Sequence, residues 1–206
     1  MPQGDIIAVS EQFTAALQAR EVASFEQMTS AYLQIERRLL ADYELLLQQI
    51  AEQGLSPGKA VRLKRYQELA TQLTEELNKY AQFSSQIISN EQAAFINLAE
   101  QQSFALTNAA LPAGFPVELG TIWNQVPFDA LEAMVGFAGD GSPLLPAMVT
   151  RFGETVAPAV NDMLVRGVAL GWNPRKTVTE LRKVFDDKLL GNSLTWARTE
   201  QLRAHR

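Results

Sequence analysis

The sequence predicts an all-α protein: a long antiparallel helical hairpin followed by a smaller bundle of short helices. Three observations predict it. Apolar residues recur at alternating three- and four-residue spacings over two long stretches, the signature of a helix with one buried face. No Gly or Pro falls between Asp5 and Gly54, and after Gly58 the next strong breaker is Pro112. Between those stretches sits a compact run of turn residues, Gly54-Leu55-Ser56-Pro57-Gly58.

In the first stretch Phe25, Met28, Tyr32, Ile35, Leu39 and Leu46 form a heptad stripe that only Asp42 breaks. A helix of some 45 residues, roughly 70 Å long at 1.5 Å per residue, follows. Gly54 suits the left-handed C-terminal position, Ser56 is placed to accept from free amides, and Pro57 fits the first position of a new helix. Leu63, Tyr66, Ala70, Leu73, Leu77, Tyr80 and Ile87 make the second stripe, with Ser84 its weak member, and Phe95 and Leu98 extend the face toward Phe104. Neither helix covers its apolar face alone, so a short turn between them means an antiparallel pair or self-association. The aromatic subset Tyr32, Tyr43, Tyr66, Tyr80 and Phe83 lies at helical spacing beside Leu and Ile, and reads as packing rather than as a stacking platform for nucleic acid.

Residues 111–142 change character. Pro and Gly punctuate both ends around a short helical piece, Pro127 to Val135, and Gly139-Asp140-Gly141 reads as a turn, without the further ligands of a cation loop. The organisation expected is a hairpin over 1–110, a connector over 111–142 and a helical region over 143–206. In that last region Met148, Phe152, Val156, Val160, Met163, Leu164 and Val168 define an apolar face, which Gly153 and Pro158 should bend or divide. Asn173-Pro174 opens the next helix, with Val178, Leu181, Val184 and Phe185 inward and Arg175, Lys176, Arg182 and Lys183 outward. Gly191-Asn192-Ser193 should close that helix and cap the last one, with Trp172 and Trp196 as core anchors.

Composition narrows the chemistry. Cysteine is absent and His205 is the single histidine, so thiolate, zinc and histidine acid/base chemistry have almost no material, and no enzyme, metal or cofactor is expected. The longest uncharged run, Gln101 to Val117, carries polar residues and two prolines, so no membrane span is expected. The N-terminus lacks the basic and apolar regions of a secretory signal, which predicts a start in the cytoplasm. Charge is uneven: residues 1–110 carry net −5, 111–172 carry −4 and 173–206 carry +4. A basic tail through Arg175, Lys176, Arg182 and Lys183 suits DNA phosphate or an acidic partner, or serves as a solvated helix face.

Gly171-Trp172-Asn173-Pro174, the basic helix through Leu181 and Phe185, and then Ala197-Arg198-Thr199-Glu200-Gln201-Leu202-Arg203-Ala204 form an ordered arrangement. It resembles the start of the Mu F-like domain of bacteriophage minor head proteins and covers residues 171–206. The family pattern continues toward an Asp and His region beyond Arg206. The resemblance singles out Gly171, Ala197, Arg198, Thr199, Glu200 and Arg203. It implies a structural, few-copy protein inside the capsid at the portal vertex, acting in head morphogenesis, DNA packaging or early ejection, present in the host cytoplasm during assembly, with the portal protein as partner; from the charge distribution, only the basic tail suits a contact with genome DNA. Arg198 and Glu200 stand two apart, point to different helix faces and should bridge to neighbouring helices rather than to each other. Two other readings remain open from the residues: a generic helical adaptor or scaffold, and a DNA-binding protein acting through the basic tail.

Overall fold

The computed structural model describes residues 6–110 and 144–205. Two helices of 47 residues each, α1 (Ile6–Glu52) and α3 (Lys64–Ala110), are joined through the four-residue α2 (Pro57–Ala60). Then come α4 (Leu144–Ala169), α5 (Pro174–Phe185), one π-helical turn (Asp186–Leu190) and α6 (Gly191–His205). Among the described residues every element is helical and no strand occurs. The all-α hairpin with shorter helices after it is therefore the fold. The connector, with the helix expected over Pro127–Val135 and the turn expected at Gly139-Asp140-Gly141, lies outside the described residues.

Backbone hydrogen bonds explain the turns. The Leu55 N–H donates to the Ile50 carbonyl and the Gly54 N–H to that of Ala51, closing α1 with Gly54 at φ +58°, where a Cβ would be strained. Pro57 occupies the first turn of α2 as the sequence implies, but the Ser56 hydroxyl makes no capping bond; the Ser56 carbonyl accepts from the Lys59 and Ala60 amides instead. The second helix does not run unbroken from Pro57. Arg62 and Leu63 donate to carbonyls only three residues back, and this tightened turn separates α2 from α3.

The chain falls into two compact units. One comprises Gln27–Ser85 and Leu144–Thr195; the other holds the remaining described residues, 6–26, 86–110 and 196–205. In the first unit α1 and α3 run antiparallel, since Tyr80 Oη reaches the Met28 carbonyl, Arg38 pairs with Glu76, and Gln72 and Arg65 donate to Asp42. Asp42, the interruption in the first stripe, is thus the acceptor of two cross-hairpin bonds. Met28, Tyr32, Ile35, Leu39 and Leu46 are buried as the stripe requires. A second row beside it, Leu40, Tyr43, Leu47 and Ile50, is buried too. The cause is a third helix: Tyr80 packs against Tyr32 at 6.4 Å and against Phe152 of α4 at 6.1 Å between ring centroids. Leu46, Leu47 and Ile50 line a small apolar cavity with Leu164, Val165 and Val168 of α4. Burial holds the Tyr32 hydroxyl far above its ordinary pKa, reinforced by its hydrogen bond to Asp186; burial raises Tyr43, Tyr66 and Tyr80 as well.

Three expectations are corrected. Ala70 is exposed and Leu69 is fully buried in its place, because the break before α3 resets the stripe and the larger side chain, four residues before Leu73, takes the inward row. α4 is not divided at Gly153 or Pro158. Both residues are exposed, so the Glu154 carbonyl that Pro158 leaves without a donor faces the solvent side, while Val156 and Val160 anchor the opposite face at 0% and 1% exposure. Gly191-Asn192-Ser193 does not close a helix. Gly191 has ordinary helical angles (φ −58°, ψ −42°), and its N–H donates to the Asp186 carbonyl across the π-turn.

The π-turn has a geometric reason. Leu181, Phe185, Leu189, Ser193, Ala197 and Gln201 are all buried at four-residue steps. Five such steps overrun a 3.6-residue repeat by about two residues, so the row would wander off one face; the wide turn absorbs one residue and partly restores the phase. Ser193 Oγ and Asn192 Nδ2 donate to the Leu189 and Lys188 carbonyls beside it.

The corrected stripe is tested by chemical denaturation. Leu69→Ala should lower stability by about 2–5 kcal/mol through loss of burial and a cavity, whereas Ala70→Lys should change it by no more than about 0.5 kcal/mol.

Candidate functional site

The residues that the sequence singles out lie on the continuous stretch from Gly171 through α6. Gly171, at φ +62°, closes α4: the Trp172 N–H donates to the Gly167 carbonyl and the Gly171 N–H to that of Val168. Asn173 then caps α5 by accepting from the Arg175 amide at 2.9 Å, with Pro174 at the first helical position. The next turn brings α5 very close to α4. A Cβ on Gly167 would lie 2.6 Å from Thr177 Oγ1, and Thr177 itself is fully buried, so any larger residue at 167 would have to displace Thr177 or the helix that carries it.

The four outward cations of α5 occupy distinct environments. Arg182 Nε donates to Glu36 Oε1 of α1 at 2.7 Å, and the Glu36 side chain is only 5% exposed. Lys183 pairs with Glu180 at 2.8 Å, and Lys176 Nζ stands 4.3 Å over the Trp172 ring. Arg175 is exposed. Two of the four charges are therefore matched by carboxylates, which lowers the positive field the tail presents to a phosphate backbone. Trp172 and Trp196 are both half-buried rather than core anchors, their place taken by Phe185 and Leu189 at 0% exposure. At the π-turn Tyr32 Oη donates to Asp186 Oδ1 at 2.5 Å, fixing the widened segment to α1.

In the second unit α6 packs on α1 and α3. Ala197 is fully buried. Arg198 Nε donates to Glu21 Oε1 at 2.7 Å, while Gln92 Nε2 donates to Glu200 Oε2 at 3.3 Å, so the two ionic residues reach different helices. Thr199 is exposed, and Arg203 lies in the final turns of α6. Nearby, Arg20 and Glu91 form a two-bond pair between α1 and α3, at 2.9 and 3.2 Å. Sequence reasoning missed Glu36, Glu21, Gln92, Ser24 and Gln201 as partners. Gln92 carried a signal: it stands four residues after Ile88 and three before Phe95, a polar residue in an apolar row.

Among the described residues no group of three or more His, Cys, Asp or Glu is placed to hold a metal ion, and no helix is long and apolar enough to cross a membrane. The fold and these contacts define a helical protein whose final helix is fastened to a long hairpin by charge-assisted and amide hydrogen bonds. No family model, curated protein or solved structure matches the chain.

A structural role for Arg182 makes a direct prediction. Arg182→Met should cost about 1–3 kcal/mol in thermal or urea unfolding, because buried Glu36 loses its charged donor. Arg175→Ala should stay within about 0.5 kcal/mol. Equal, negligible effects would mean that Glu36 does not depend on the pair.

Proposed function

We propose that this chain is a bacteriophage minor head protein of the Mu F-like kind. It is a structural component of the portal vertex inside the capsid, acting in head assembly, DNA packaging or ejection. One observation supports the proposal beyond the sequence arrangement: three of the six residues singled out by the resemblance, Gly171, Arg198 and Glu200, help to seat the last two helices. Gly171 sets the entry to α5, and Arg198 and Glu200 tie α6 to α1 and α3. Such residues serve a structural part that must present fixed helical surfaces to a neighbour. A role as a DNA-binding tail draws less support, since Arg182, Lys183 and Arg198 are each held by a carboxylate of the chain itself.

The experiment is biochemical. In phage-infected cells the protein should cosediment with portal rings at low salt and be found in few copies in purified virions, remaining until the DNA is released. Absence from virions together with no binding to portal rings would overturn the head-protein reading in favour of a generic helical adaptor. A salt-dependent shift of free DNA without portal binding would favour the basic tail instead.

A further inference from the structure

Where α6 meets the hairpin, the buried layer is polar. Ser24 of α1, Gln92 of α3, and Glu200 and Gln201 of α6 are exposed by 1%, 0%, 6% and 2%. Gln92 Nε2 donates to Glu200 at 3.3 Å, Gln201 Nε2 donates to Ser24 Oγ at 2.9 Å, and Ser24 Oγ donates to the Glu21 carbonyl at 2.9 Å. Gln92 Oε1 and Gln201 Oε1 meet no hydrogen-bond partner in the protein. Between residues 196 and 202 the one fully buried apolar side chain is the methyl group of Ala197; Trp196 is half-buried and Leu202 is 52% exposed.

This is an unfavourable way to obtain stability alone. A buried acceptor without a donor costs free energy, and replacing a whole buried polar set by apolar side chains of similar volume is often neutral or stabilising. The layer does discriminate between positions. Sliding α6 by one turn along α3 would take Glu200 from Gln92 to Phe95 or Ile96, which offer no donor side chain, or the other way to Ile88 and the shorter Ser89, and either slip would break the Gln201–Ser24 bond as well. Ala197 is too small to set a register by shape. We infer that Ser24, Gln92, Glu200 and Gln201 form a register key that seats the last helix at one position on the hairpin, giving up stability for a single arrangement, as a lone polar residue does in a coiled-coil seam.

The chain contains no cysteine, so introduced pairs report position without background. In the full-length protein, Arg198→Cys with Glu21→Cys marks the observed register, and Arg198→Cys with Gln18→Cys or Phe25→Cys marks slips of one turn. With the polar layer intact, a short bis-maleimide should link the Glu21 position at least about tenfold faster than either neighbour, a modest free-energy bias on the usual scale of equilibrium ratios. In the layer variant Ser24→Ala, Gln92→Met, Glu200→Met, Gln201→Met, helicity and Tm should be kept or raised while that preference falls to about twofold or less. A preference that survives the apolar layer overturns the inference. Loss of cooperative folding overturns it too, because the layer would then be a source of stability rather than of register.

Discussion

Tyr80 of α3 packs on Tyr32 of α1 and on Phe152 of α4, and the rest of the first unit depends on that three-way contact. It lies toward one end of the apolar seam made by Met28, Tyr32, Leu39 and Leu46 on one helix and Leu69, Leu73, Leu77 and Tyr80 on the other, all buried. Each such side chain contributes about 1.5–3 kcal/mol when fully buried, against roughly 0–1 kcal/mol for a solvent-facing ion pair. The seam therefore supplies the stability, and Arg38–Glu76 and Arg65–Asp42, each with a partly exposed arginine, chiefly fix how the helices align. α4 then covers the flank of both helices with Met148, Phe152, Val156, Val160 and Leu164.

The contacts of α5 and α6 follow a different physical logic. α5 and the π-turn combine apolar burial at Leu181, Phe185 and Leu189 with charged or polar bonds to α1 through Glu36 and Tyr32. In the second unit α6 makes polar bonds to Glu21, Ser24 and Gln92. Apolar contacts tolerate sliding, whereas a hydrogen bond tolerates little error in distance or angle. A helix fastened in this way presents its exposed face in a defined orientation.

Much of the fold was legible because long helices write their period plainly. The first stripe and the face of α4 could be read residue by residue, and Gly54 and Gly171 marked helix ends through their conformational freedom. Errors arose where local rules met tertiary packing. A two-helix reading had no reason to bury Leu40, Leu47 and Ile50, since it lacked the third helix that covers them; Tyr43, beside them, was expected to pack. Gly191 looked like a stop signal, yet a continuous buried row at four-residue steps favoured a π-turn there. Pro158 looked like a breaker, yet it sits on the exposed side of a helix anchored opposite. For the site, the spacing of Arg198 and Glu200 announced that they face different ways, but not which residues they meet: Glu21 and Gln92 stand more than a hundred residues away in sequence and carry no local mark of partnership beyond the polar interruption at Gln92.

The dependence of the structure on the hairpin seam is most directly tested by native-state hydrogen exchange read by mass spectrometry under increasing urea. Amides of residues 28–50 and 69–88 should be the last to exchange, opening only with global unfolding, while those of residues 197–202, held by polar contacts, should open earlier and at lower cost. Exchange of the α1 and α3 amides before those of α4 and α6 would contradict the account.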